Sequence, residues 1–297
     1  MRVKTAVLFP GQGSQSVGMA SGFYASQPQA KALLDGVDSA LGRGLLEFMF
    51  QGPEDVLKDT ANTQPALYAA GLASWAGLQA AGFKADGFAG HSLGEYCALQ
   101  AAGAFSFIDG LKLVQARAVA MAAAAKAAPG SMAAVLKLGD ADVEAVCREA
   151  SVAGAVGAAN YNCPGQVVIS GSPEGLAKAA ELVKAKGGRC LPLAVSGAFH
   201  SPVMRPAGET LRAAFGALAW SVPQTLVLAN VDASPHQGTA SIQDKLVAQV
   251  SGPVRWTQTI QAFQGLGFSR FVEVGPGKVL AGLVKKIAPE AQVFSVG

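Results

Sequence analysis

A chain of 297 residues with 51% hydrophobic and 14% charged side chains can bury about three quarters of its unfolded surface. Disorder, a collagen-like repeat and a small disulfide-stapled scaffold are thereby excluded. The formal charge of +3 comes from 23 basic and 20 acidic residues scattered along the chain, a poor footprint for nucleic acid. The local basic excesses, at Lys178, Lys184, Lys186 and Arg189 and at Lys285-Lys286, read as solvated faces that an acidic protein could still meet.

In chain order, Val3 to Phe9 reads as a buried strand closed by the loop Pro10 to Gln15. Its apolar run ends too soon for a signal peptide. Helical periodicity then holds from about Gln29 to Ala81, with breaks expected near Gly42-Gly44, Gly52-Pro53 and Asn62-Thr63. A short strand ends at Phe88-Ala89, a Gly-rich turn covers Gly90 to Gly94, and helices follow at about Leu93 to Ala102 and Phe107 to Lys126. This α/β alternation implies a largely parallel sheet. The Ala-rich stretches carry Gln79 or Lys126 and fall short of a membrane span, so a cytoplasmic protein with no membrane contact is expected.

From Gly130 the rhythm changes. Strands are expected at Ser131 to Leu138, Gly154 to Ala159, Gln166 to Ser170 and Arg189 to Val195, with helices at Asp140 to Ala150 and Pro173 to Lys186. The order β-α-β-β-α-β is that of a ferredoxin-like unit. After Ser196 the α/β alternation resumes, with strands near Thr225 to Ala229, Arg270 to Val274 and Gln292 to Ser295. The expected division is a large α/β domain, residues 1–127 and 196–297, with a small α+β subdomain, residues 128–195, inserted into it. Cys97, Cys147, Cys163 and Cys190 show no Cys-x-x-Cys pair and no metal-ligand spacing. Reduced core thiols are expected, with no metal and no cofactor.

Gly90-His91-Ser92-Leu93-Gly94 fits the G-x-S-x-G nucleophile elbow, a sharp strand-to-helix turn that exposes a serine. With 36 glycines in the chain the bare pattern is weak. The strand before it and the helix after it add weight, because a helix beginning at the serine sets free amides and a positive dipole end beside a developing oxyanion. A serine nucleophile requires a base, and histidine is the usual one. Of the three histidines, His91 adjoins the serine, where neighbouring side chains diverge, and His236 sits in the polar loop Ser234 to Gly238. His200, after a strand and the tight turn Gly197-Ala198-Phe199, is the best candidate. No acid stands out as a third member. Asp232 is the nearest, reads better as a turn cap, and follows His200 in the chain, whereas the acid of an α/β-hydrolase precedes its histidine. A Ser-His dyad oriented by a backbone carbonyl fits better. The loop Gly11 to Ser16 lacks the glycine and lysine pattern of a nucleotide site, but it can bring a backbone amide to another site as a second oxyanion donor.

These residues carry a resemblance that covers essentially the whole chain. Phe9-Pro10-Gly11-Gln12-Gly13-Ser14-Gln15, Asn62-Thr63-Gln64-Pro65-Ala66, Gly90-His91-Ser92-Leu93-Gly94-Glu95-Tyr96 and the helix with Arg117 resemble the malonyl-CoA:acyl carrier protein transacylases. So do Gly197-Ala198-Phe199-His200-Ser201-Pro202, Pro253-Val254-Arg255-Trp256 and Glu273-Val274-Gly275-Pro276-Gly277. The resemblance implies an α/β-hydrolase-like core with an inserted ferredoxin-like subdomain. It implies that Ser92 is acylated, that His200 is the base, and that the amides of Gln12 and Leu93 form the oxyanion hole. It gives Gln249 the carbonyl that orients His200, and puts Arg117, Gln64 and Phe199 at the substrate, with Arg117 on the malonyl carboxylate. By residue pattern alone Arg117 reads as an ordinary exposed arginine. The implied partners are malonyl-CoA and an acidic acyl carrier protein, and a monomer is expected. The alternatives are a free-standing polyketide or malonate-pathway acyltransferase, a serine esterase or thioesterase, and a catalytically idle docking module.

Overall fold

The computed structural model describes residues 2–195 and 197–297, so Ser196, where the large domain is expected to resume, lies outside the described residues. Nine strands run β1 (Lys4–Phe9), β2 (Gly87–Gly90), β3 (Ser131–Leu136), β4 (Val156–Cys163), β5 (Gln166–Gly171), β6 (Arg189–Pro192), β7 (Leu226–Val227), β8 (Phe268–Val274) and β9 (Gln292–Val296) among the described residues. They form one sheet in the order β7-β2-β1-β8-β9 and another in the order β4-β5-β3-β6. Every pairing in the first is parallel, and every pairing in the second is antiparallel. The chain is thus of the mixed α/β class expected, and the second sheet has the strand order of a ferredoxin-like unit.

Strand β1 shows why its sequence is apolar without alternation. Val7 and Phe9 enter the core cluster on one face, with Leu67 and Ala70 of the helix Thr60–Ala80. Ala6 and Leu8 enter the cluster on the other, with Trp256, Ile260 and Phe263. A central parallel strand covered on both faces has no polar side to show. In the second sheet, Val135, Val167 and Ile169 pack on Val143, Val146, Ala179 and Val183 of the helices Asp140–Ala150 and Pro173–Ala185.

The structure moves several expected boundaries. The break near Asn62-Thr63 falls instead at Asp59, whose side chain accepts a hydrogen bond from Ala61 N at 2.8 Å and caps the helix Thr60–Ala80. Pro65 lies inside that helix. It removes the bond its nitrogen would give to the Ala61 carbonyl, and Arg43 Nη2 donates to that carbonyl at 2.8 Å. Strand β4 begins later than Gly154 and runs on to Cys163. Asn160 and Asn162 look like loop residues, yet Tyr161 N donates to Val254 O at 2.9 Å and Val254 N to Ala159 O at 2.8 Å. A segment from beyond the second sheet thus holds this strand extended. Strand β6 stops at Pro192, short of the expected Val195, although Leu193 N still donates to Met132 O at 3.0 Å. The helix Ser21–Ser26 is one that the periodicity did not single out. Among the described residues no helix is long and apolar enough to cross a membrane.

Candidate active site

The elbow follows the C-terminal end of β2, where open α/β sheets place their ligands. Ser92 has φ 51°, a left-handed conformation that a non-glycine residue holds only when its surroundings enforce it. They do so here at both ends of its backbone. Ser92 N donates to Asn230 Oδ1 at 2.7 Å, and Ser92 O accepts from Gln249 Nε2 at 2.8 Å. The two glycines of the motif are steric requirements: a Cβ on Gly90 would lie 1.8 Å from Gly94 C, and one on Gly94 would lie 2.1 Å from Phe9 O. The strand and the helix after the serine can approach this closely only without side chains.

His200 also has a positive φ, 58°. Its Nδ1 lies 2.9 Å from Gln249 O and 3.2 Å from Gly252 O. Carbonyl oxygens only accept, so Nδ1 carries the hydrogen. The neutral ring then presents a bare lone pair at Nε2, which lies 2.8 Å from Ser92 Oγ. Burial, with the Arg117 charge second, pushes the imidazole pKa down to about 3, against the upward pull of the Gln249 carbonyl. The unfolded chain takes up this proton near about pH 6.5, whereas the folded chain refuses it until about pH 3. The stability tied to His200 is therefore complete above about pH 6.5 and is lost as the pH falls through the folded value. Phosphonylation of Ser92 by a fluorophosphonate is expected to show no acid limb near about pH 6.5. A limb centred there would contradict a buried neutral His200.

Arg117 corrects the exposed reading. It is 1% exposed, on the core-facing stripe of the helix Phe107–Ala127 with Val114, Ala118 and Met121. An arginine in register with an apolar stripe was the available sequence signal. Nη1 donates to Gln64 Oε1, and Nη2 donates to Gln249 Oε1 and to Ser92 Oγ, each at 3.0 Å. Among the described residues Nε has no partner. Burial lowers the guanidinium pKa, opposed by Tyr96 and Glu95. None of its direct hydrogen-bond partners is charged, which leaves a buried cation able to take an anion in direct contact.

A cavity of about 480 Å³ opens over these groups, lined among others by Gln12, Gln64, Ser92, Arg117, Phe199 and His200. Volume alone does not pick it out, since hollows of about 570 and 690 Å³ lie beside Phe23 and Val119. Neither is lined by Ser92 or His200. Leu93 directly precedes the helix Gly94–Ala101. Among the described residues the amides of Gln12 and Leu93 have no hydrogen-bond acceptor. The Gln12 side chain is tethered by Nε2 to Thr60 Oγ1 at 3.2 Å. His91 lines the same cavity, but its Nε2 meets Asn162 Oδ1 at 2.9 Å. Asp232 is away from the serine, where it accepts from Ser234 N and pairs with Lys245.

Three residues behind the elbow were not legible as site residues. Glu95 and Asn230 are fully buried. His236, far from lying open in a polar loop, is 8% exposed and meets Glu95 at 2.8 Å. A polar loop and a Glu in a helix's first turn give no local sign that the fold will bring them together.

Residues 7–295 match the acyl transferase domain family. A malonyl CoA-acyl carrier protein transacylase of Bacillus subtilis is 42% identical over 295 residues, 99% of this chain and 93% of the relative. The crystal structure of an acyl-carrier-protein S-malonyltransferase from Burkholderia pseudomallei superimposes with a TM-score of 0.95 at 45% identity, covering 99% of this chain and 96% of that one. A malonyl-transacylase solved in complex with its type II PKS acyl-carrier protein matches with a TM-score of 0.93 at 37% identity, covering 98% and 94%.

Proposed function

The chain belongs to the acyl transferase domain family, among its malonyl CoA-acyl carrier protein transacylases, and on that premise we propose that it moves malonyl groups from malonyl-CoA to the phosphopantetheine thiol of an acidic acyl carrier protein in fatty acid biosynthesis. The observation that carries this reading is the Ser92 hydroxyl held between the His200 lone pair and the buried Arg117 guanidinium. Ser92 Oγ attacks the thioester carbonyl carbon as its proton passes to His200 Nε2. The tetrahedral oxyanion lies against the amides of Gln12 and Leu93, each such donor being worth roughly 2.7–4 kcal/mol. The C–S bond then breaks, and the CoA sulfur leaves with the proton from His200. The carrier's thiol enters the emptied cavity, gives its proton to His200 and attacks the malonyl ester; the ester C–O bond breaks, and the Ser92 oxygen leaves with that proton.

Arg117 holds the far carboxylate through paired charge-assisted bonds, with Gln64 steadying the guanidinium. Phe199 fills space beside the malonyl methylene. It disfavours an α-methyl group by about 1–3 kcal/mol. Residues 1–127 and 196–297 serve as the catalytic domain, and 128–195 as an inserted subdomain whose Met132 and Asn160 help line the cavity. The enzyme works in the cytoplasm as a monomer.

The test is to incubate the protein with malonyl-CoA and the phosphopantetheinylated carrier and measure malonyl-carrier and free malonate together. Transfer is expected to dominate, with the parallel double-reciprocal lines of a ping-pong reaction. Malonate release outrunning transfer would make the protein a thioesterase. Carrier preference separates the fatty acid role from a polyketide or malonate-pathway one.

A further inference from the structure

Behind the reacting groups lies a buried carboxylate that the steps above do not use. One oxygen of Glu95 faces His236 Nε2 at 2.8 Å, and the other accepts from Asn230 N at 3.0 Å and Gln249 Nε2 at 2.8 Å. An ionised carboxylate has only lone pairs to offer, so the atoms facing it are donors. This orients the Gln249 amide, nitrogen toward Glu95 and the Ser92 carbonyl, oxygen toward Arg117. Reversed, the amide would set NH₂ against a guanidinium and take from a buried cation one of its acceptors. The backbone N of His236 donates to Val227 O at 3.0 Å, and among the described residues its ring Nδ1 has no partner. The side chains of His236 and Glu95 are 0% and 1% exposed.

We propose that Glu95 and His236 form a positioning pair that acts through Gln249. By fixing that amide they aim the Arg117 guanidinium, and so set the preference for an acyl group ending in a carboxylate over one that does not. The proposal rests on the reading of Arg117 given above. It separates two roles of Gln249: the backbone carbonyl serves His200, and the side chain serves selectivity.

The experiment compares kcat/KM for malonyl-CoA and acetyl-CoA in the full chain and in H236N, H236Q, E95Q and R117A. Asparagine is too short to reach the Glu95 oxygen, whereas glutamine can span the gap. H236N is expected to lower the malonyl value about tenfold, chiefly through KM, with the acetyl value within about twofold, and H236Q is expected to restore most of the loss. Equal falls for both thioesters, or an unchanged ratio, overturn the proposal. If H236N does not fold, E95Q decides. It puts an NH₂ among donors, so the malonyl-to-acetyl ratio is expected to drop about tenfold, and a constant ratio overturns the pair. R117A distinguishes the two levels of failure. Malonyl preference surviving in R117A sinks the reading of Arg117 itself, whereas preference lost in R117A but kept in H236N sinks only the positioning pair.

Discussion

Ser92→Ala is expected to abolish the malonyl-enzyme and to lower transfer by about 10⁶-fold, the scale on which a serine nucleophile acts together with its base. Among the described residues, Ser92 Oγ, at 2.8 Å, is the one hydroxyl or thiol that meets the His200 lone pair. The fold should survive the change. The contacts that hold the elbow in its left-handed turn use the Ser92 backbone, through Asn230 and Gln249, and alanine keeps that backbone. Intact-protein mass spectrometry after mixing with malonyl-CoA reads the result directly. A malonyl adduct persisting in a normally folded variant would place the nucleophile elsewhere.

Arg117→Ala is expected to lower kcat/KM for malonyl-CoA by about 10²–10³-fold, as two charge-assisted bonds of roughly 1.5–3 kcal/mol each are lost in part to water. Acetyl-CoA, with no carboxylate to bind, should lose far less, so the two thioesters become comparable substrates. A second signature distinguishes this from general damage. Arg117 is one of the influences that lower the His200 pKa, so its removal should move the acid limb of Ser92 reactivity upward in pH. Intact malonyl selectivity, or a limb that does not move, would contradict a guanidinium placed beside both the substrate and the base.

Much of this site could be read along the chain because its chemistry is locally encoded. The elbow requires glycine where strand and helix nearly touch, and Gly90 and Gly94 record that contact in one short stretch. His200 was singled out because a histidine after a tight turn at a strand's end has few rivals in a chain with three histidines. Arg117 was legible only through family resemblance, although its register with Val114, Ala118 and Met121 carried the signal. The break expected near Asn62-Thr63 falls at Asp59, and Pro65 stays inside the helix, where the Arg43 guanidinium from another segment meets the carbonyl that proline leaves free.

What the amino-acid order determined by itself is the alternation of elements, the β-α-β-β-α-β block and the serine on its elbow, since each follows from periodicity, turn chemistry and short-range sterics. The tertiary structure alone decided how the buried groups behind the elbow meet. Glu95, Asn230, His236 and Gln249 come from separate segments and converge behind Ser92. Their roles depend on which lone pair meets which hydrogen once water is gone. Hydrogen-bond direction in a buried network is a property of the assembled whole, because each amide is turned by its neighbours, and none of that orientation is encoded within reach of any one residue.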